Sequence, residues 1–237
     1  MAIAILSDIH ANMEALSAAL DSIAEREIDA IYCLGDIVGY GPNPNECVNL
    51  VRDNCSHVLV GNHDYAAIGK TNVEYFNKYA KQAAYWTQEH LTAENNEYLS
   101  FLPFTHQTDV MIMVHASPTN PAHWYYVLNP YDAQIEMQAF SQPLCFIGHS
   151  HVPLVYSESD VFKTTKMKFE PEQKYIINVG SIGQPRDGNH QACYCIYNPD
   201  EHGIEYVRLE YDLQKTYSKI IKEGLPPFLA ERLLKGY

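Results

Sequence analysis

Ile3-Ala4-Ile5-Leu6-Ser7-Asp8-Ile9-His10 sets four consecutive apolar residues against a polar cluster near the start of the chain. An unbroken apolar run of this length reads as a strand buried on both faces, as in the interior of a parallel sheet. Asp8 and His10 are two residues apart where that strand runs out, so both side chains can point the same way. Asn12 to Arg26 then reads as a helix with Met13, Leu16, Leu20 and Ile23 on one face. Ala30 to Leu34 is a second strand, Pro44 to Arg52 a short helix, and Val58 to Val60 a third strand. This β-α-β-α-β rhythm predicts a parallel sheet with crossover helices. Ligands of such sheets gather outside the carboxyl ends of the strands. All three strands end in polar clusters: Ser7 to His10, Gly35-Asp36, and Gly61-Asn62-His63-Asp64.

Further along, Val73 to Leu91 reads as a long amphipathic helix and Ala93 to Phe101 as another. Val110 to Val114 is a buried strand ending at His115. Residues 117–130 are rich in proline and aromatics, and with the following helix, Tyr131 to Phe140, they read as a small cap-like segment over 117–141. The strand Leu144 to Ile147 ends in Gly148-His149-Ser150-His151. The remainder is strand-dominated: 154–156, 161–164, 175–179, 192–197 and 204–209. Strands this close together predict antiparallel hairpins, so the second sheet is expected to be mixed or antiparallel. A helix over 213–223 and a final helical turn after Pro226-Pro227 close the chain. With no repeat and no linker, residues 1–237 read as one domain.

Composition narrows the function. Sixteen Lys and Arg stand against 29 Asp and Glu, a formal net charge of -13, which argues against a broad basic face for long nucleic acid or anionic lipid. A phosphorylated substrate would have to be drawn by something more local. No run approaches the ~18 apolar residues of a membrane span, and no basic residues precede the apolar N-terminal run, so it does not read as a signal peptide. Six cysteines (33, 47, 55, 145, 193 and 195) form no C-x-x-C pair, which suits a reduced, cytoplasmic chain. Cys193 and Cys195 share one face of a strand, where packing is the expected role.

The chemistry collects at five strand ends. Asp8 and His10, Asp36, Asn62, His115, and His149 with His151 together supply two carboxylates, four imidazoles and one amide, with no thiolate. A single D-x-H or H-x-H among 11 histidines would be an ordinary solvated or hydrogen-bonded pair. Repetition at every strand end instead points to a first-row divalent metal site with mixed N and O ligation. The set is too large for one tetrahedral zinc and suits two metals sharing a carboxylate.

The series Asp8-x-His10, Gly35-Asp36, Gly61-Asn62-His63-Asp64, His115 and Gly148-His149-x-His151 resembles the calcineurin-like metallophosphoesterase superfamily, with every block in order. Gly39-Tyr40-Gly41-Pro42 and the stretch Gly180 to Gly188 resemble its compact bacterial and archaeal phosphoesterases in particular. The resemblance implies an α/β fold, a four-layer α/β/β/α sandwich with two central mixed sheets and a two-metal centre between them. It implies that Asp8, His10, Asp36 and His151 hold one ion, and that Asp36 bridges to a second held by Asn62, His115 and His149. Two divalent ions (Mn, Fe, Zn, Co or Ni, with Mn the choice for assay) against two aspartates leave a local positive charge able to hold a phosphate. The implied reaction is hydrolysis of a small or nucleotide-like phosphate ester by a metal-bridging hydroxide. His63 is implied to protonate the leaving oxygen as an imidazolium, with Asp64 orienting it.

Other residues read more openly. Arg186 either forks onto a phosphate oxygen or pairs with Asp187 to stiffen its loop. Tyr40 and Asn43 are placed to line the leaving-group side, and His123 and Trp124 either stack on an aromatic leaving group or simply pack. Asn178 and Ser181 read as structural. Where the protein Ser/Thr phosphatases of the superfamily carry Asp-Arg after the second block, this chain has Gly39 and Tyr40, which weighs against a protein substrate. A catalytically silent binding scaffold would be expected to have lost ligands, and all seven positions are present here. The expected partner is therefore a small phosphate ester, with no membrane and no long nucleic acid.

Overall fold

A computed structural model describes residues 1–237. The first half runs β1 (Ile3–Leu6), α1 (Met13–Ala24), β2 (Ala30–Cys33), α2 (Pro44–Asn54), β3 (His57–Val58), α3 (Asn62–Ala67), α4 (Lys78–His90) and α5 (Ala93–Ser100). It continues through β4 (Thr105–Gln107), β5 (Met111–Val114), α6 (Pro130–Glu136) and β6 (Leu144–Ile147). The last part contains β7 (Leu154–Ser157), β8 (Val161–Phe162), β9 (Lys166–Lys168), β10 (Tyr175–Asn178), β11 (Ala192–Asn198), β12 (Gly203–Leu209), α7 (Leu213–Lys222) and α8 (Pro227–Leu233).

Two six-stranded sheets face each other, in the orders β3-β2-β1-β11-β12-β9 and β4-β5-β6-β10-β7-β8. The alternation of side chains along each strand builds the layers. Ile3 and Ile5 of β1, Met111 and Met113 of β5, Phe146 of β6, Tyr175 and Ile177 of β10, and Cys193 and Cys195 of β11 meet in one core between the sheets. The intervening residues face outward. Ala4, Leu6 and Tyr194 pack against Leu16, Ala19 and Ile23 of α1 and Val48 of α2. On the other side, Ile112, Cys145, Ile147 and Ile176 pack against Ala133 and Met137. The result is the expected α/β/β/α sandwich.

Three expectations are corrected. The later strands do not all build the second sheet: β1 pairs with β2 in parallel, as expected, but also with β11 antiparallel, Ala4 opposite Ile196. The two long C-terminal strands thus return to the first sheet, while β7, β8 and β10 complete the second. The helix expected over 73–91 is broken: Val73–Tyr75 is a 3-10 turn and α4 begins at Lys78. Asn72 and Asn77 are the reason, since the first accepts from the Glu74 amide and the second from the Tyr79 and Ala80 amides, so the chain stops and restarts. The third strand is only His57–Val58, and Asn62 opens a short helix that the sequence pattern had not indicated. No helix is long and apolar enough to cross a membrane.

Phe146 is fully buried in the inter-sheet core. Phe146→Ala is expected to cost about 3–5 kcal/mol, read as a lower urea-unfolding midpoint with little change in slope.

Candidate metal centre

The loops after β1 and β2 are laced together before any side chain is considered. The Asp8 amide donates to the Gly35 carbonyl at 3.0 Å, that of His10 to Asp36 at 2.9 Å, and that of Ala11 to Ile37 at 2.8 Å. These bonds hold residues in conformations that L-amino acids avoid: φ is 54° at Asp8, 49° at His10, 53° at Asp36, 65° at His149 and 62° at His151. Each such residue costs roughly 1–2 kcal/mol relative to ordinary backbone, and strain of this kind clusters at functional sites. Gly148 shows how close the two sheets come here, because a Cβ on it would lie 2.0 Å from Ser7 Oγ and 2.5 Å from Asp8 Oδ2.

All seven ligand candidates are buried. Each carboxylate is gripped by one oxygen and presents the other. Asp8 Oδ2 accepts from the His149 amide at 2.9 Å, and Asp36 Oδ1 from the His63 amide at 2.8 Å. The other oxygens face imidazoles: Asp8 Oδ1 is 3.2 Å from His151 Nε2, and Asp36 Oδ2 is 3.3 Å from His115 Nε2. His10 Nε2 lies between the aspartates, 3.8 Å from one and 3.7 Å from the other. The opposite ring nitrogens are tied to backbone carbonyls, His10 Nδ1 to Val38 at 3.2 Å, His115 Nδ1 to Leu34 at 3.1 Å and His151 Nδ1 to Gln184 at 2.5 Å. A carbonyl can only accept, so each Nδ1 carries a proton, which leaves Nε2 as the nitrogen whose lone pair is offered whenever the ring is neutral, the usual preparation of a metal-binding histidine.

Several inward-facing atoms are buried without a hydrogen-bond partner: Asp8 Oδ1, Asn62 Oδ1, His115 Nε2 and His149 Nε2. Buried polar atoms left unpaired are costly, and divalent cations would satisfy these four together. The donor atoms of Asp8, His10 and His151 lie within 4.8 Å of one another, as do those of Asp36, His115 and His149. Asp36 is close to both groups, as a bridging carboxylate must be.

Protonation agrees with that use. Burial pushes His10 and His151 down and takes His149 to about 3, so these rings are neutral near pH 7. Burial alone would raise both aspartates, but the surrounding imidazoles, His151 first for Asp8 and His115 first for Asp36, hold them well below the usual carboxylate range. His115 is the exception. Burial lowers it, yet Asp36 beside it wins and brings it to about 9. The buried carboxylates beside it thus favour positive charge in this pocket.

The expected roles of His63 and Asp64 need correction. Asp64 does not orient His63, because its two oxygens accept from the backbone amides of Val38 at 3.0 Å and Gly61 at 2.9 Å. It braces the loop that carries Asn62 and His63. Burial pushes His63 down, to about 4, with Asp36 opposing and Arg186 assisting, which favours its neutral form. Its ring lies between Tyr40, at 4.3 Å between centroids, and Phe76, at 4.9 Å. Arg186 does not pair with Asp187, which is bound by Arg208. It donates instead to Gln184 Oε1 at 2.9 Å. Asn43 does not reach the site and is held by Lys219 at 2.9 Å. Asn178 and Ser181 are structural as expected, bonding Gly148 O and Asp8 O respectively.

A cavity of about 360 Å³ opens over Asn62, His63 and His149, walled by Tyr40, Tyr75, Phe76, Asn77, Trp124 and Tyr126. Trp124 thus joins the wall, whereas His123 faces Tyr125. Sequence reasoning missed Tyr126, whose ring stacks on His149 at 3.9 Å, and Tyr75 to Asn77, which had been placed inside a helix. It also missed Arg232 of α8, 5.8 Å from the Tyr40 ring centre. None of these stands in a motif; only the Asn72 and Asn77 capping signals hinted at the broken helix.

Comparison with known proteins agrees with this geometry. The model of the calcineurin-like phosphoesterase superfamily domain matches residues 1–202. The chain is 46% identical over 241 residues to uncharacterized protein MJ0912 of Methanocaldococcus jannaschii, covering 99% of this chain and 98% of that one. The crystal structure of a metallophosphoesterase from Sphaerobacter thermophilus superposes with a TM-score of 0.89 at 42% identity, covering 100% of this chain and 99% of that one. Hypothetical protein PH1004 from Pyrococcus horikoshii OT3 shares the fold, with a TM-score of 0.83 at 23% identity over 100% of this chain and 98% of its own. A family match spanning most of the sequence, over strand ends that converge on a cation-seeking site, makes this chain a member of the calcineurin-like phosphoesterase superfamily.

Proposed function

We propose that the protein is a dinuclear metal-dependent phosphoesterase acting on a small or nucleotide-like phosphate ester. The observation that carries this reading is the pair of buried aspartates, each clamped through one oxygen and free at the other, facing imidazoles whose Nε2 lone pairs are exposed to the same space. Asp8, His10, Asp36 and His151 would hold one divalent ion, and Asp36, Asn62, His115 and His149 the other. When bound, such ions supply Lewis acidity toward phosphoryl oxygens and make water nucleophilic near neutral pH. Asn62 contributes an amide where a third carboxylate would cancel charge, so the centre stays cationic enough for a phosphate dianion.

The chain's own groups complete the site. His63, neutral and at the cavity wall, is placed to donate an N–H to the leaving oxygen rather than to release a proton from an imidazolium. Arg186 offers a guanidinium without a carboxylate partner toward a non-bridging oxygen. Tyr40 packs against His10 at 4.7 Å and His63, fixing both rings and walling the leaving-group side. A cavity of about 360 Å³ with aromatic walls suits a nucleotide-sized group better than a protein surface. In this reading residues 1–237 act as one domain with 117–141 as its cap. The six free cysteines fit a reduced, cytoplasmic setting. A silent scaffold is disfavoured because none of the donor atoms is missing.

With Mn²⁺, the purified protein is expected to hydrolyse a chromogenic phosphomonoester or diester and to gain thermal stability from the added ion, as any ligand of the native state confers. Asp36→Asn should lose both responses. Turnover persisting in that variant would remove the shared-carboxylate mechanism. His63→Gln should lower kcat about 10²–10⁴-fold while bound metal, measured by elemental analysis, stays at the wild-type level.

A further inference from the structure

Arg186 and Arg232 converge on one ring from opposite ends of the sequence. The guanidinium carbon of Arg186 is 5.9 Å from the centre of Tyr40, and that of Arg232 is 5.8 Å from it. Arg232 is brought there by α8, which packs with α7 and α4 through Leu229, Leu233, Ile220 and Ala83 in a cluster that includes Tyr40 itself. Tyr40 in turn touches His10 and His63, so both cations stand one aromatic ring away from the metal-ligand side chains.

Neither arginine meets an Asp or Glu side chain. Arg186 donates to the neutral Gln184 amide, and its Nε is buried with no partner. Arg232 Nε donates to the main-chain oxygen of Tyr237, the last residue, at 2.5 Å, and its guanidinium also stands beside the Tyr40 side chain. The acid adjoining Arg186 in sequence, Asp187, is engaged by Arg208, and Glu231, adjoining Arg232, forms no ion pair with it. In a chain with 29 acidic and 16 basic residues, a partly buried guanidinium such as that of Arg186, with no carboxylate against it and a second arginine on the same ring, is an anomaly. Burial and the Arg186 charge together bring Arg232 down to about 10. Two guanidinium groups beside one aromatic ring repel each other, an anion in contact with both would relieve that repulsion, and guanidinium forks match phosphate geometry.

We propose that Arg232, with Arg186, forms a second phosphate subsite that selects substrates carrying a phosphoanhydride-linked phosphate beside the one at the metal centre. The assignment rests on the phosphoesterase reading and deepens it. Organic diphosphates and longer polyphosphates would span both positions, whereas a simple monoester would occupy only the metal centre.

The test compares inorganic pyrophosphate with inorganic phosphate as inhibitors of p-nitrophenyl phosphate hydrolysis by the Mn²⁺-loaded full chain, with free Mn²⁺ held constant. Arg232→Gln is expected to raise the inhibition constant of pyrophosphate at least tenfold more than that of phosphate, and Arg232→Lys to give an intermediate value. Equal weakening of both inhibitors would reduce Arg232 to a brace for Tyr40 and overturn the subsite, as would no change in either. If the metal-loaded wild type hydrolyses no ester, the phosphoesterase reading fails separately. Direct equilibrium binding of pyrophosphate then decides the subsite: a tenfold loss in Arg232→Gln upholds it, and equal binding overturns it. Thermal melts guard against misfolding, and should Arg232→Gln not fold, Arg232→Lys carries the same comparison.

Discussion

Two carboxylates, Asp8 and Asp36, are removed from water at the meeting of two sheets, and the surrounding structure exists to make that tolerable. An isolated buried carboxylate is among the costliest groups a fold can hold. Here each is met on one side by a backbone amide, from His149 and from His63, and on the other by imidazoles. The arrangement neutralises only part of the charge. His115 is left protonated by its neighbours, and the unpaired oxygens of Asp8 and Asn62 still face inward. Divalent cations would complete a set of donors that these neighbours leave unsatisfied.

The sandwich explains why that pocket is rigid. The amide that grips Asp8 at the end of β1 belongs to His149, just beyond β6 of the opposite sheet, so one hydrogen bond fastens the two layers at the site. Gly148 permits the approach. Below it, Ile5, Phe146 and Ile177 fill the inter-sheet space completely. Left-handed backbone at five of the seven ligand positions is affordable only because this core and the lacing of the two loops hold the chain in place.

What the sequence disclosed was the part governed by local rules. Apolar runs followed by polar clusters pointed to all seven side chains that the fold gathers and buries at one place, because a strand end fixes both where a side chain sits and which way it points. Partnering between distant segments was another matter. Nothing within Ala192 to Asn198 says that it pairs with β1 rather than with β10, since either neighbour would bury the same alternation. The surroundings of His63 and Asp64 were hidden for a similar reason. Adjacency in sequence suggested a hydrogen-bonded pair, whereas folding turned Asp64 back to the amides of Val38 and Gly61 and buried the His63 ring, which favours its neutral form. Arg232, 46 residues after Arg186 and outside any motif, was invisible until α8 packed on Tyr40.

These features reconcile an acidic protein with an anionic substrate. Surface charges act through water and salt, which screen them beyond about 8–10 Å, so a net charge of -13 spread over the exterior weakly opposes a ligand already inside a cleft. Inside, the low-dielectric walls of Tyr40, Phe76, Trp124 and Tyr126 let a few fixed charges dominate. Cations held by the buried aspartates would set a positive charge at the floor of that space, and Arg186, one ring away across Tyr40, would add to it. An attraction for phosphate would then be local to the cleft. That locality also gives selectivity, because an anion must reach the enclosed positive charge to be bound at all, and the shape of the aromatic opening determines which anions can.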